Sequence, residues 1–130
     1  MAFAQVSDSY YASAEGGVIV NMASMSAIIG NPGASIYSAS KGGVIALTQS
    51  AASEYAVSGI RINAISPRVI STPMVDDIPA PLLADIQSKH PIGRLGKPEE
   101  IADAVVWLCS EKASFVTGHN MVIDGGYTAQ

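Results

Sequence analysis

Charge is what this sequence has least of. Lysine, arginine, aspartate and glutamate make up 14% of its 130 residues, against about 25% in a typical soluble domain. A chain so poor in charge must hide much of its surface, in its own core or against another chain. Its basic side chains form no run and its formal net charge is −4, so a nucleic-acid partner is not expected. The single cysteine, Cys109, excludes an internal disulfide and fits a reducing cytosol. No apolar run reaches the roughly 18 residues of a membrane span. Met1 to Gln5 lacks the basic start and apolar stretch of a secretory signal. The expectation is a cytoplasmic protein that meets a small molecule rather than nucleic acid or membrane. His90 and His119 stand alone, without cysteine or carboxylate at ligand spacing. They read as solvated loop residues, and no metal site is expected.

What is there is apolar and ordered in blocks. Residues 1–16 stay unplaced, although Ser7-Asp8-Ser9 can cap a short helix through Tyr10 and Tyr11. Val18 to Met22 is rich in β-branched residues and reads as a buried strand. Ala23 to Ser35 is small, polar and punctuated by glycine and proline, which predicts a loop. A long helix follows over about 36–58, with Val44, Leu47, Ala51 and Tyr55 at helical spacing and Gly59 as its stop. Ile60 to Ile65 reads as a second strand ended by Ser66-Pro67, and a short helix is expected near 81–88. Lys97-Pro98-Glu99-Glu100 opens a helix that runs to about Cys109, with Trp107 and Leu108 expected to face the core. Asn120 to Asp124 is the third strand. Strands joined through helices imply an α/β fold with a parallel sheet of about three strands and flanking helices. Such a sheet leaves bare edges, so a homo-oligomer is expected.

Three residues can serve one reaction. Tyr37 and Lys41 lie four apart on the long helix, one turn above each other on one face. Ser24 follows the first strand, at the end where open α/β sheets bind ligands. A tyrosine with an ordinary pKa of about 10 is a poor base, but an ammonium nearby favours phenolate. A serine beside the pair can steady a substrate oxygen while the phenol exchanges a proton with an alcohol or carbonyl. Two other readings stay open. Ser38-Ala39-Ser40-Lys41 also spells S-x-x-K, so Ser24 or Ser38 with Lys41 or Tyr37 can be read as a cofactor-independent serine hydrolase of esterase type. A non-catalytic chain that only oligomerises is the third.

The motifs also resemble a known family. Tyr37-Ser38-Ala39-Ser40-Lys41 resembles the Tyr-x-x-x-Lys signature of the short-chain dehydrogenase/reductase family, and Ser24 stands thirteen residues earlier, as that family's serine does. Gly59 to Pro67, Ile70 to Met74, Gly93 to Ala102 and Thr117 to Gly126 are similar to its later segments. The resemblance covers 17–127 and implies the catalytic half of a Rossmann-like domain over 17–130. It implies an oxidoreductase acting on an alcohol or carbonyl with NAD or NADP. Tyr37 would be the general acid/base, Lys41 would hold the nicotinamide ribose, and Ser24 would orient the carbonyl. Pro67, Ile70 and Thr72 would meet the cofactor, and 74–95 would form the substrate loop.

The resemblance also has gaps. No G-x-x-x-G-x-G or G-x-G-x-x-G precedes Gly16, and such a turn is what cradles a pyrophosphate. On this reading the half-sheet is truncated and cofactor binding is weak. The family's active-site asparagine has no counterpart, since Asn21 lies within a strand. Arg68 stands where the family usually has glycine, and its long cation either crowds the nicotinamide pocket or binds an anion.

Overall fold

A computed structural model describes residues 16–130, and the short helix expected at Tyr10 and Tyr11 lies outside them. Three strands, β1 (Gly17–Met22), β2 (Ile60–Pro67) and β3 (Asn120–Ile123), form one sheet in the order β1-β2-β3. Both pairings are parallel, with Val18 opposite Arg61 and Ile65 opposite Met121. Between them run α1 (Ser35–Tyr55), α2 (Ala80–Ser88) and α3 (Pro98–Cys109). The helix expected to reach residue 58 gives way at Ala56 to a 3-10 turn, and Gly59 then stops it in the left-handed conformation at φ 74°. No helix among the described residues is long and apolar enough to cross a membrane.

The period-2 alternation of β2 splits its side chains between two apolar layers. Ile60 and Ile62 pack with Ala52 of α1, joined by Ile19. Ile65 faces the other way, onto Ile101 and Leu108 of α3, joined by Val20. Helices therefore cover both faces, and this explains why β2 is almost continuously buried.

Two packing expectations need correction. The stripe Val44, Leu47, Ala51 and Tyr55 is not the deepest face of α1. Thr48 and Ala52 are buried there, and Leu47 is 63% exposed. The helix is so rich in alanine, serine and glycine that its apolar period is blurred, and close approach to the sheet selects the small side chains. Trp107 is exposed rather than in the core. Ile101, Val105 and Leu108 sit at i, i+4 and i+7 on the face that meets the sheet, and Trp107 is turned about 100° away from Leu108.

The start of α3 carries a pH-sensitive pair. Arg94 Nη1 and Nη2 bond both carboxylate oxygens of Glu100, at 2.9 and 2.6 Å, and the Lys97 backbone N–H donates to Oε2 at 2.7 Å. Arg94 first, then the Lys97 N–H, lower the Glu100 pKa from 4.5 to about 2. A depressed carboxyl stabilises the fold above its unfolded value and loses that contribution as pH falls through its folded one. The Glu100 contribution is thus complete above about pH 4.5 and gone near pH 2. The side chains are 43% and 40% exposed, so solvent screens the pair. Across that window the melting temperature of the wild type should fall slightly faster than that of Glu100→Gln. Parallel melting curves would show that the pair contributes nothing to stability.

Candidate active site

The C-terminal ends of β1 and β2 open onto a cleft of about 690 Å³. That is where parallel sheets bind ligands, because the loops leaving the strands diverge there. Ser24, Tyr37 and Lys41 all line this cleft, and so do Pro67, Ile70 and Thr72. Each arrives by a different route. Ser24 leaves β1 and caps the 3-10 turn Met25–Ala27, with its Oγ accepting the Ser26 N–H at 3.3 Å. Because that oxygen is the acceptor, its own O–H is free to donate elsewhere. Tyr37 stands in the first turn of α1, half exposed to the cleft. Lys41, one turn later, reaches back to the Met22 carbonyl at 3.0 Å, and its Nζ lies 5.8 Å from the centre of the Tyr37 ring. One ammonium N–H is used there and two remain.

Ile70 forms a parallel bridge with Gly96, in which the Ser71 N–H and the Val69 carbonyl make the hydrogen bonds. In such a bridge the peptide groups of Ile70 itself face the opposite way. Its N–H and C=O make no hydrogen bond among the described residues. Thr72 precedes the 3-10 turn Pro73–Val75. Met74, Val75 and Ile78 of the following segment supply an apolar wall.

Ser38 is not brought to the cleft. It is turned about 100° from Tyr37 around the helix, and its hydroxyl is buried without a partner. Asn21 is likewise occupied: its Nδ2 donates to Thr48 Oγ1 at 2.9 Å and ties β1 to α1. His90 corrects the expectation of a solvated loop. It is 3% exposed, with Nδ1 2.8 Å from the Ile86 carbonyl. The turn that ends α2 folds it inward beneath Tyr127, and no local pattern marks this. Asn31, missed in the sequence, donates to Ser26 Oγ at 3.0 Å and steadies the loop after β1. The asparagine and glycines of that loop marked only a turn.

The chain was compared with known proteins. The family model described as "Enoyl-(Acyl carrier protein) reductase" matches residues 1–128, which include the segment left unplaced above. Cis-4-hydroxycyclohexanecarboxylate dehydrogenase of Sinomonas cyclohexanicum is 48% identical over 120 residues, covering 92% of this chain and 48% of that protein. Cyclohexanol dehydrogenase of Acinetobacter sp. (strain SE19) is 50% identical, covering 90% of this chain and 45% of that one. Among solved structures, 4-hydroxyisoleucine dehydrogenase complexed with NADH superposes with a TM-score of 0.84 at 40% identity, over 88% of this chain and 48% of that one. The chain spans about half the length of the curated relatives it matches. With its parallel sheet, its Tyr-x-x-x-Lys helix and a family match from end to end, the chain belongs to the short-chain dehydrogenase/reductase family.

Proposed function

We propose that residues 17–130 form the catalytic half of an NAD(P)-dependent oxidoreductase that interconverts a small ring alcohol and its ketone. The observation that carries this is the convergence of Ser24, Tyr37 and Lys41 on one cleft with Pro67, Ile70 and Thr72. The ring alcohol is suggested by the names of two relatives and suits the apolar wall of Met74, Val75 and Ile78.

The residues fit the nicotinamide end of such a cofactor. Ile70 offers an unused backbone donor and acceptor, which complement a carboxamide. Lys41 offers two N–H groups to ribose hydroxyls. Bound there, the nicotinamide supplies the hydride acceptor in one direction and the donor in the other. In alcohol oxidation the Tyr37 Oη takes the proton of the substrate hydroxyl, and in ketone reduction it returns one. Ser24 donates its O–H to the substrate oxygen and fixes it at the distance the transfer needs. Lys41, anchored on Met22, holds the ribose and keeps a positive charge beside the phenol. Self-association is part of this reading, supported by the exposed Ile36 and Leu47 on α1.

The test is reduction of NAD or NADP with cyclohexanol, followed by the absorbance of the reduced nicotinamide. Lys41→Met should lower kcat and raise the KM for cofactor together, since one ammonium serves both. No turnover with either nucleotide, alongside hydrolysis of an activated ester, would reject the oxidoreductase.

A further inference from the structure

We propose that the Arg68 guanidinium recognises a carboxylate on the substrate, so that the alcohol taken by the cleft is a hydroxy acid and its product an oxo acid. This deepens the reading above, and rests on it for the alcohol.

The three arginines differ in what they bond. Arg61 donates to the carbonyls of Val116 and Ser110. Arg94 donates to the carboxylate of Glu100 and the carbonyl of Leu95. Arg68 has no oxygen acceptor among the described residues. Its Nη1 lies 3.6 Å from the Met25 sulfur, a weak acceptor, and its Nε is buried without a partner. The Nε itself is out of a ligand's reach, but the Nη2 makes no hydrogen bond among the described residues and the Nη1 meets only sulfur, so the Nη edge is where an acceptor from elsewhere can pair with the cation. The side chain is also held in place. Its Cζ sits 3.1 Å from the centre of the Tyr127 ring, a stacking contact that orients the planar fork.

The acceptor is an anion by the charge of the cleft. Lys41 and Arg68 line it and no aspartate or glutamate does; Glu100 and Asp124 line a smaller cavity that Arg68 also borders, and the Glu100 carboxylate is taken by Arg94. Asp124, at the end of β3, has its carboxylate turned to Gly126 and Thr128. The sulfur that Arg68 meets belongs to Met25, the residue after Ser24, and all three residues line the cleft. A planar carboxylate matches that fork with two parallel hydrogen bonds. An acid group gripped by Arg68 would fix which ring carbon faces Ser24 and Tyr37.

Calorimetric titration of the full chain with cyclohexanecarboxylate and its uncharged isostere cyclohexanecarboxamide tests this. The wild type should bind the acid about tenfold tighter or more, the range of hydrogen bonds to a charged group. Arg68→Gln should bring the two ligands within about twofold. Arg68→Lys, which keeps the charge without the fork, should fall between, and it serves should the glutamine variant lose its fold. NADH titrated into the same proteins should be unaffected. The proposal is overturned by a wild type that binds acid and amide equally or binds neither. It is also overturned if the preference survives in Arg68→Gln, or if NADH loses affinity and the acid does not. In that last case the anion is a cofactor phosphate. Turnover is not read, so failure here leaves the role of Tyr37 standing, and failure of turnover leaves this binding result standing.

Discussion

Replacing Tyr37 by phenylalanine is expected to lower kcat by about 10²- to 10⁴-fold, the range that a positioned proton donor contributes. Tyr37 lines the cleft together with Ser24 and Lys41, and in the proposed reaction its phenol exchanges the proton with the substrate oxygen. Its hydroxyl bonds none of the described residues, and the side chain is 49% exposed. The substitution therefore removes one oxygen and leaves the packing of α1 intact. The melting temperature and the dissociation constant of the nicotinamide nucleotide should stay within error while kcat collapses. That split separates a chemical role from a structural one. Turnover that survives the substitution means another group carries the proton, and the oxidoreductase mechanism given above fails.

The second large effect concerns stability and lies far from the cleft. Asn63 is fully buried in β2. Its Nδ2 donates to the Val116 carbonyl at 2.9 Å, and its Oδ1 accepts the His119 N–H at 3.0 Å. The segment between those residues leads into β3, and Gly118 N–H also reaches the Ile62 carbonyl. Asn63→Leu keeps the volume but takes the acceptor from the part-buried His119 N–H, at about 1–3 kcal/mol, while the Val116 carbonyl keeps its bond from Arg61 Nη1. For a domain of this size the melting temperature should drop by roughly 5–10 °C. β3 should loosen before the rest, seen as faster amide exchange in 120–123. A shift of about 2 °C or less would mean that the His119 N–H finds another acceptor.

The sequence carried the scaffold well because its signals are local. The β-branched run at 18–22, the alternation at 60–65 and the proline and acids before α3 all report backbone preferences within a few residues. The strand ends differ from the structure by one or two residues, as ladder pairing rather than composition sets them. The cluster Ser24, Tyr37 and Lys41 was legible for a similar reason: the loop after β1 returns directly to the helix that bears the other two. Roles for these residues came from family resemblance, not from their spacing, which many amphipathic helices share.

Other features had no local signal. Leu47 and Trp107 look like core residues in one dimension, yet both point outward. His90 looks like a loop residue and is buried. Asn63 is an ordinary polar residue on an alternating strand until Val116 and His119, more than fifty positions away, take its two hydrogen bonds. Arg68 was visible as an odd residue after Pro67, but not its stack on Tyr127 or its orphaned Nε.

By itself, then, the sequence determined the order of elements, the parallel sheet and the residues that meet at the end of β1. Each of these follows from propensity, period and short connections. Only the tertiary structure decided which helical face is buried, which polar groups pair across the sheet and which cation is left without an acceptor. Those choices depend on how residues far apart in the chain share one close-packed interior, where a buried donor must find its acceptor or remain costly.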